Sequence, residues 1–323
     1  MKCMRGEMSQ KLSVHISAFN SDRYQKIIAK LYPELELSVS KGRENHDRLY
    51  DCNVLIGFGP GLNDEVFDRN QNLKFVQSLG TGVDGIADRP GLAKDVPVAS
   101  MRGMHGPQMS ELAFMVMLSL SRNFPKTLEN QENHLWERWE PRVLYKKTVG
   151  LLGVGLIAEA LAKRCKAFDM NVVGISGSSR EVENIDEMRS RATLAEAVKD
   201  LDYLIVLAPM TPENKNLINA EILEAMKPSA YLVNIARGGI LDDDALIDAL
   251  KSGGIAGAGL DVFEKEPLPA DSPFWDVPNL IITPHNGGMS ETYVEQAMPV
   301  IETNLRALLS GKPEDMINVV ERD

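Results

Sequence analysis

From Leu12 to Ser100 the chain alternates short apolar runs with stretches of helical period. The runs Val14–Ile16, Leu35–Val39, Val54–Phe58, Phe75–Leu79 and Val96–Ala99 have the length and content of buried strands. The stretches Asp22–Leu31, Glu44–Tyr50 and Asp64–Asn70 lie between them and read as helices. Strands separated by helices predict a parallel sheet covered on both faces. An apolar helix follows at Leu112–Leu120, with Pro107 suited to its first turn. The polar stretch Asn123–Lys147 comes next. Trp136 and Trp139 are expected on a helix there, and two indoles in a charged segment point to a contact with a second copy. The alternation then resumes. Strands are predicted at Val149–Leu152, Val172–Ile175, Tyr203–Leu207, Tyr231–Ile235, Ile255–Leu260 and Leu280–Ile282. Helices are predicted after Gly155 and at Leu194–Lys199, Ala220–Met226 and Asp242–Leu250. A final amphipathic helix, Ser290–Leu309, is expected to return to the first domain.

The stretch Thr148–Arg180 sets the ligand class. The run Val149–Leu152 is followed at once by Gly153 and Gly155. A helix pattern comes next, with Leu156, Ile157, Ala160, Leu161 and Phe168 on or near one face, and the run Val172–Ile175 closes the unit. This strand–helix–strand context is what a Gly-x-Gly-x-x-Gly/Ala dinucleotide fingerprint requires. Gly153 allows the tight turn, Gly155 lets the backbone approach a pyrophosphate, and Ala158 in the third position lets the helix pack on the strand. The pyrophosphate would meet the unpaired N–H groups of the helix start, beside Leu156 and Ile157. A plain turn with two glycines would look the same in isolation; the flanking strands favour the cofactor.

The end of the second strand separates two cofactors. An NAD site usually carries Asp or Glu there, on the ribose 2′-OH. Here Ile175 is followed by Ser176, Gly177, Ser178, Ser179 and Arg180, with no acid until Glu181. Three hydroxyls and a guanidinium suit a 2′-phosphate. An acid at Ser176 would repel it, since two like charges 4 Å apart cost ~4 kcal/mol at an effective dielectric of 20. NADP(H) is therefore favoured over NAD(H).

Composition narrows the partners. The 323 residues suit two domains, and 44% hydrophobic with 25% charged residues suits a full core. A net charge of −11 argues against nucleic acid and against an anionic membrane surface. No apolar run is long enough to span a bilayer, and the polar residues Met1–Lys11 give no signal peptide. Cys3, Cys52 and Cys165 are far apart and odd in number. They make no zinc spacing and no disulfide framework, so no metal is expected and a cytoplasmic location is.

Three polar residues fall where strands of the second domain should end. Arg237 follows Val233-Asn234-Ile235-Ala236, Glu266 lies beyond Leu260-Asp261-Val262-Phe263, and His285 follows Ile281-Ile282-Thr283-Pro284. In an open α/β sheet these ends face the ligand crevice. Arg holds a carboxylate bidentately, His titrates near neutral pH, and a carboxylate bonded to His favours the imidazolium. Each alone is also what a solvated Arg, a surface Glu or a capping His looks like; three at one sheet edge point to a reaction centre for an oxo acid. In the first domain, the loop Gly57–Gly61 reads as a plain turn. The loop Leu79-Gly80-Thr81-Gly82-Val83-Asp84 reads as an anion-holding site. His105, ahead of the Leu112–Leu120 helix, is expected in a structural or cofactor-side role.

At this point the sequence resembles the D-2-hydroxyacid dehydrogenase family. The matching stretches are Gly-Leu-Leu-Gly-Val-Gly-Leu-Ile-Ala from Gly150, Val-Asn-Ile-Ala-Arg-Gly-Gly from Val233, Gly-Leu-Asp-Val-Phe-Glu-Lys-Glu-Pro-Leu-Pro from Gly259 and Pro-Asn-Leu-Ile-Ile-Thr-Pro-His from Pro278. The resemblance implies a doubly wound Rossmann cofactor domain over residues 104–287. It would be inserted into a smaller flavodoxin-like α/β substrate domain made of residues 1–103 and 288–323, with the cleft between them. It makes Arg237 the substrate-binding arginine, Glu266 the partner of the histidine and His285 the general acid/base. Asp261 matches an acid near the nicotinamide carboxamide, and Thr81, Gly82 and Val83 match the loop whose amides hold the substrate carboxylate. Ala208, Pro209, Ala236 and Met109 are assigned to the cofactor's surroundings on the same ground. The implied reaction is reduction of a small 2-oxo acid to a D-2-hydroxy acid by NAD(P)H; a homodimer is expected from the two indoles alone.

The chain departs from the family pattern at several points. Ser176 replaces the acid of NAD-using members. Asn286-Gly287-Gly288 follows His285 where an apolar residue and alanine are common, and Met109 stands where a smaller residue often meets the nicotinamide. A member acting on a phosphorylated acid such as 3-phosphoglycerate stays open; a chain ending at Asp323 is expected to lack the regulatory domain many of these carry. Glu266 disfavours a formate dehydrogenase, which uses glutamine there. The alternative of another class is a nucleotide-sensing, corepressor-like binding protein on the same fold.

Overall fold

The computed structural model describes residues 11–42, 44 and 46–322. Cys3, and all of the Met1–Lys11 stretch except Lys11, lie outside the described residues. The chain divides into two compact units: Met1–Met104 with Ser290–Asp323, and His105–Met289. The changes of unit fall one and two residues beyond the positions expected.

In the first unit, strands β1 (Ser13–Ser17), β2 (Glu36–Ser40), β3 (Val54–Gly57), β4 (Phe75–Ser78) and β5 (Val98–Ala99) pair in parallel in the order β2-β1-β3-β4-β5. Helices α1 (Ser21–Leu31) and α2 (Asp64–Arg69) lie between strands. The runs in β1, β3 and β4 are buried on both faces; β3 reads as an apolar stretch, while β1 and β4 bury His15, Gln77 and Ser78 among their apolar residues. The expected helix Glu44–Tyr50 is reduced to one 3-10 turn at Asp47–Tyr50, where the His46 side chain accepts from the N–H of Arg48 and starts the turn late.

The second unit opens with α3 (Gly106–Arg122) and α4 (Phe124–Glu132). It continues through β6 (Thr148–Leu152), α5 (Leu156–Ala167), β7 (Asn171–Ser176), β8 (Glu187–Ser190), α6 (Leu194–Ala197), β9 (Tyr203–Val206), α7 (Ala220–Ala225), β10 (Tyr231–Asn234), α8 (Asp243–Ser252), β11 (Gly257–Leu260) and β12 (Leu280–Ile282). Its seven strands are all parallel, in the order β12-β11-β10-β9-β6-β7-β8. The chain then returns to the first unit as α9 (Tyr293–Leu309). Tyr293, Val294, Ala297, Met298, Ile301 and Leu305 of α9 join the first unit's core with Val14, Ile16 and Tyr24.

Two expectations need correction, and one strand was not expected. Trp136 and Trp139 are not helical: α4 ends at Glu132, and His134 takes a left-handed φ of 54° that an α-helix does not continue through. Trp136 is 91% exposed, whereas Trp139 is half-buried under the Lys126 amine, 5.4 Å from its ring centre. The buried face of α5 is Ala158, Leu161, Ala162 and Cys165, while Leu156 and Phe168 are 45% and 44% exposed. Small residues let this helix lie close: a Cβ on Gly106 of α3 would come 2.8 Å from Ala160 Cβ. Strand β8 has no apolar run because it is an edge strand, where charges are tolerated and discourage further pairing. Its Arg189 is paired with Glu187 and Asp200.

Cys52 and Cys165 are free and buried. Among the described residues no helix is long and apolar enough to cross a membrane. No group of three or more His, Cys, Asp or Glu among them could hold a metal ion.

His15 of β1 carries a pH consequence. It is fully buried, with ring nitrogens 2.8 Å from Ser38 Oγ and 3.0 Å from Ser40 Oγ on β2. Two hydroxyls satisfy a neutral imidazole, which has one donor and one acceptor. Burial, and then the nearby His46, push its pKa down to about 4. The folded state keeps this ring neutral while the unfolded chain protonates it below pH 6.5. Stability is therefore full above that pH and is lost as pH falls toward 4, by about 2 kcal/mol at pH 5. Urea midpoints at pH 7 and pH 5 should show this loss, and His15→Gln should remove most of it. An equal acid loss in the variant would clear His15 of the effect.

Candidate active site

In the second unit, β6 is followed in sequence by β7 on one side, while β9 returns to pair on the other. The loops after β6 and β9 therefore leave a topological switch point, where open α/β sheets bind ligands. Gly153 has φ +100°, and a Cβ there would lie 2.5 Å from the amide nitrogen of Ala208. Only glycine fits this close approach of two loops. At Gly155 the opposite holds: a Cβ would meet nothing within 4 Å. Helix α5 starts at Leu156 with no side chain capping it. A closed turn, open space and uncapped N–H groups in succession fit the pyrophosphate of a dinucleotide. Ala158 is fully buried, as the third fingerprint position requires, while Leu156 is exposed and Ile157 half-buried.

At the end of β7, Ser176 is half-buried and Ser178 and Ser179 are exposed. The Ser178 N–H donates to Ser176 Oγ at 3.3 Å, which folds the loop back on the strand end. Arg180 differs from the expectation of an available guanidinium. Its Nη2 is 2.5 Å from Glu159 Oε1 on α5, and it also donates to the Val154 carbonyl at 3.4 Å. Ala208 is buried and Pro209 exposed, and the Pro209 carbonyl accepts from Asn214 Nδ2 at 2.7 Å. Met109 is buried in the core cluster formed with α3 and α5.

Arg237 stands just beyond β10. Asn234, fully buried at that strand's end, accepts from the Ala236 N–H at 3.1 Å and donates to the Arg237 carbonyl at 2.9 Å. This side chain shapes the turn that presents Arg237, whose Nη1 donates to the Ala236 carbonyl at 2.7 Å. The next residue, Gly238, packs backbone to backbone: a Cβ there would lie 1.9 Å from the carbonyl carbon of Phe263. The loop carrying Arg237 therefore rests on the loop carrying Glu266.

His285 and Glu266 meet directly, with Nδ1 2.6 Å from Oε2. The other carboxylate oxygen accepts from the Phe263 N–H at 2.9 Å. Burial opposes ionisation of Glu266. The hydrogen bonds from His285 and Phe263, with the charges of His285 and Arg237, outweigh it and hold the carboxyl below the usual carboxylate range. Glu266 is thus an anion at neutral pH and fixes the histidine proton on Nδ1. The influence of Arg237 on Glu266 ties the three expected residues into one electrostatic group.

The loop after β12 is held from beneath. Asp261 is buried, and its Oδ1 accepts from Thr283 Oγ1 at 2.6 Å and the Asn286 N–H at 3.1 Å. Its Oδ2 accepts from the Gly287 N–H at 2.9 Å. His285 sits between these anchors with φ +51°, a left-handed conformation that costs about 1 kcal/mol or more outside glycine. Asp261 supplies the bonds that offset it. The sequence reading placed Asp261 near the cofactor; the structure adds its hold on the histidine loop. The departure at 287 also has a local reason. A Cβ there would lie 2.4 Å from Leu112 Cδ2 and 3.3 Å from the Met109 sulfur, so these side chains fill the space alanine would need. His105 is buried under the same loop, with its Cδ2 3.1 Å from where a Gly288 Cβ would stand.

Asn234 and Thr283 were not singled out from the sequence. The available signal was a polar residue inside an otherwise apolar strand end, in Val-Asn-Ile-Ala and in Ile-Ile-Thr-Pro. In the first unit, the loop Thr81–Val83 is fixed from within that unit. Ser78 Oγ accepts from the Gly80 N–H at 3.1 Å and donates to the Gly82 carbonyl at 3.1 Å, and the Val83 carbonyl accepts from Ile86 and Ala87. Gly59 supports it closely, since a Cβ there would lie 2.0 Å from the Asp84 carbonyl oxygen.

Comparisons with known proteins agree with this architecture. Residues 114–287 match the model of the D-isomer specific 2-hydroxyacid dehydrogenase NAD binding domain. The chain is 32% identical to D-3-phosphoglycerate dehydrogenase of Methanocaldococcus jannaschii over 88% of its own length, and it spans 56% of that relative. It is 33% identical to glyoxylate reductase of Pyrococcus furiosus over 80% of its own length and 79% of the relative's. Among solved structures, NADPH-dependent glyoxylate/hydroxypyruvate reductase of Sinorhizobium meliloti, in complex with NADP and sulfate, superposes with a TM-score of 0.82 at 28% identity, covering 96% of this chain and 98% of that one. A dinucleotide turn, an Arg–Glu–His group at one sheet edge and a matched domain covering more than half of the chain lead to one conclusion: the chain belongs to the D-isomer specific 2-hydroxyacid dehydrogenase family, a family of nicotinamide-dependent oxidoreductases.

Proposed function

We propose that the protein reduces a small 2-oxo acid to its D-2-hydroxy acid with NADPH as the preferred donor. The His285–Glu266 pair carries this reading. The Nδ1–H is engaged by an anionic carboxylate at 2.6 Å, which leaves Nε2 as the ring nitrogen that exchanges a proton with the substrate oxygen. Glu266 also steadies the positive charge of the ring before it donates. A nicotinamide dinucleotide held at the Gly153–Gly155 turn would supply the hydride for C2. Arg237 is assigned to the substrate carboxylate, and the family resemblance gives the Thr81, Gly82 and Val83 backbone a carboxylate-holding role as well. Asn234 and Asp261 are positioning residues, acting through the turns that carry Arg237 and His285.

The preference for NADPH rests on the hydroxyl-rich, acid-free end of β7. The NADP bound by the Sinorhizobium relative adds support. A homodimer belongs to the same proposal. Trp136, Phe124 and Leu128 are 91%, 49% and 52% exposed, a large apolar display for a lone chain. A cytoplasmic location fits the free thiols Cys52 and Cys165.

Initial rates with glyoxylate, hydroxypyruvate and phenylpyruvate, each with NADPH and NADH, test the reading. NADPH oxidation with at least one acid, well above NADH, is the expected result. NADH favoured throughout would overturn the cofactor preference and keep the reductase. Cofactor binding without turnover of any acid would favour the nucleotide-sensing alternative. Light scattering on the same sample should give the mass of two chains.

A further inference from the structure

The structure brings a second guanidinium to the end of β7, from a part of the sequence the fingerprint does not cover. Strand β8 pairs with β7 in the register Ser176↔Ser190. The residue after Ser190 is Arg191, so the neighbouring strand delivers it beside Gly177. A Cβ at Gly177 would find only Arg191 Nη2 within 4 Å, at 3.8 Å. The side chain is braced: Nη1 donates to Asn214 Oδ1 at 2.6 Å, Asn214 is 1% exposed, and its own amide donates to the Pro209 carbonyl. The loops after β7 and β9 are thus linked through Arg191.

The two arginines differ in how their charge is used. Arg180 is committed to Glu159 at 2.5 Å. Arg191 makes its hydrogen bond to a neutral amide, and among the described residues it forms no ion pair within 4.0 Å. Glu213 senses it only weakly: this fully exposed carboxyl is held low first by the Thr211 hydroxyl and only last by Arg191. A half-buried, braced guanidinium with uncommitted charge, facing a loop of small hydroxyl residues, is the arrangement a phosphate dianion selects. Arginine offers it a planar fork of donors whose geometry is already set.

We propose that Arg191, braced by Asn214, is the residue that reads the adenosine 2′-phosphate, together with the hydroxyls of Ser176 and Ser178. Arg180 then serves as a tie between this loop and α5. The proposal rests on the NADPH preference given above.

Calorimetric binding of 2′,5′-ADP and 5′-AMP separates the two without turnover. The unmodified protein should bind 2′,5′-ADP more tightly than 5′-AMP. Arg191→Gln keeps a donor for Asn214 and removes the charge. It should weaken 2′,5′-ADP roughly 10- to 100-fold, the worth of a hydrogen bond to a charged group, and leave 5′-AMP unchanged, which also certifies the fold. Arg191→Lys should fall between, because it keeps charge without the fork. Unaltered 2′,5′-ADP affinity in Arg191→Gln would overturn the assignment, and so would loss of the preference in Arg180→Ala alone. If the unmodified protein shows no preference for 2′,5′-ADP, the NADPH reading fails and takes this proposal with it. If the preference exists and survives Arg191→Gln, only the proposal fails.

Discussion

Replacing His285 with alanine is expected to lower turnover by about 10²–10⁴-fold, the usual contribution of a positioned general acid. Cofactor affinity should stay as it was, because the fingerprint turn at Gly153–Gly155 and α5 belong to other loops of the sheet. The loss should sit in kcat rather than in KM for the oxo acid, whose carboxylate is assigned to Arg237. The side chain is 42% exposed, so its removal opens no core cavity and the fold should survive. The measurement is a steady-state rate beside a fluorescence titration of NADPH. Turnover within a few-fold of the unmodified enzyme would remove His285 from the chemistry.

The second large effect is expected from Ser176→Asp. A carboxylate there would stand where the 2′-phosphate is proposed to lie. Repulsion of ~4 kcal/mol per pair of charges at 4 Å, reduced by solvent and salt at a half-buried site, leaves about 10²-fold weaker NADPH binding. NADH has no such phosphate and gains an acceptor for its ribose hydroxyl, so its affinity should hold or improve. The new carboxylate can still accept from the Ser178 N–H, as Ser176 Oγ does now, so the loop keeps its local bond. Direct titration with both cofactors decides the matter. An NADPH:NADH ratio unmoved by the substitution would show that the phosphate lies elsewhere.

Much of this was legible because parallel strands buried on both faces announce themselves as apolar runs, and β3, β6, β9 and β10 largely do. Strand β8 was not, because an edge strand needs no apolar run. The inner face of α5 was misread because alanines at 158 and 162 make the contact, while the larger Leu156 and Phe168 look outward. At the site, Arg237, Glu266 and His285 stood out as charged residues closing apolar stretches. Asn234, and the hold of Asp261 on the histidine loop, were harder. Their work is done through backbone amides and carbonyls several residues away, and no spacing of side-chain types records a backbone bond. Arg191 was hidden for a related reason: its place beside Gly177 depends on strand register, which follows from pairing in space rather than from distance along the chain.

The contact between Gly238 and Phe263 works as a gauge block. The residue before it is Arg237, and three residues beyond its far side is Glu266, which grips His285. With no side chain between the two backbones, the spacing of the loops that carry Arg237 and Glu266 follows the pairing of β10 with β11. The paired register Leu232↔Ala258 to Asn234↔Leu260 forbids a slip smaller than a whole residue pair. In the proposed reaction, this fixed spacing of the two loops would set the reach across the acid's head group, whatever the length of its tail.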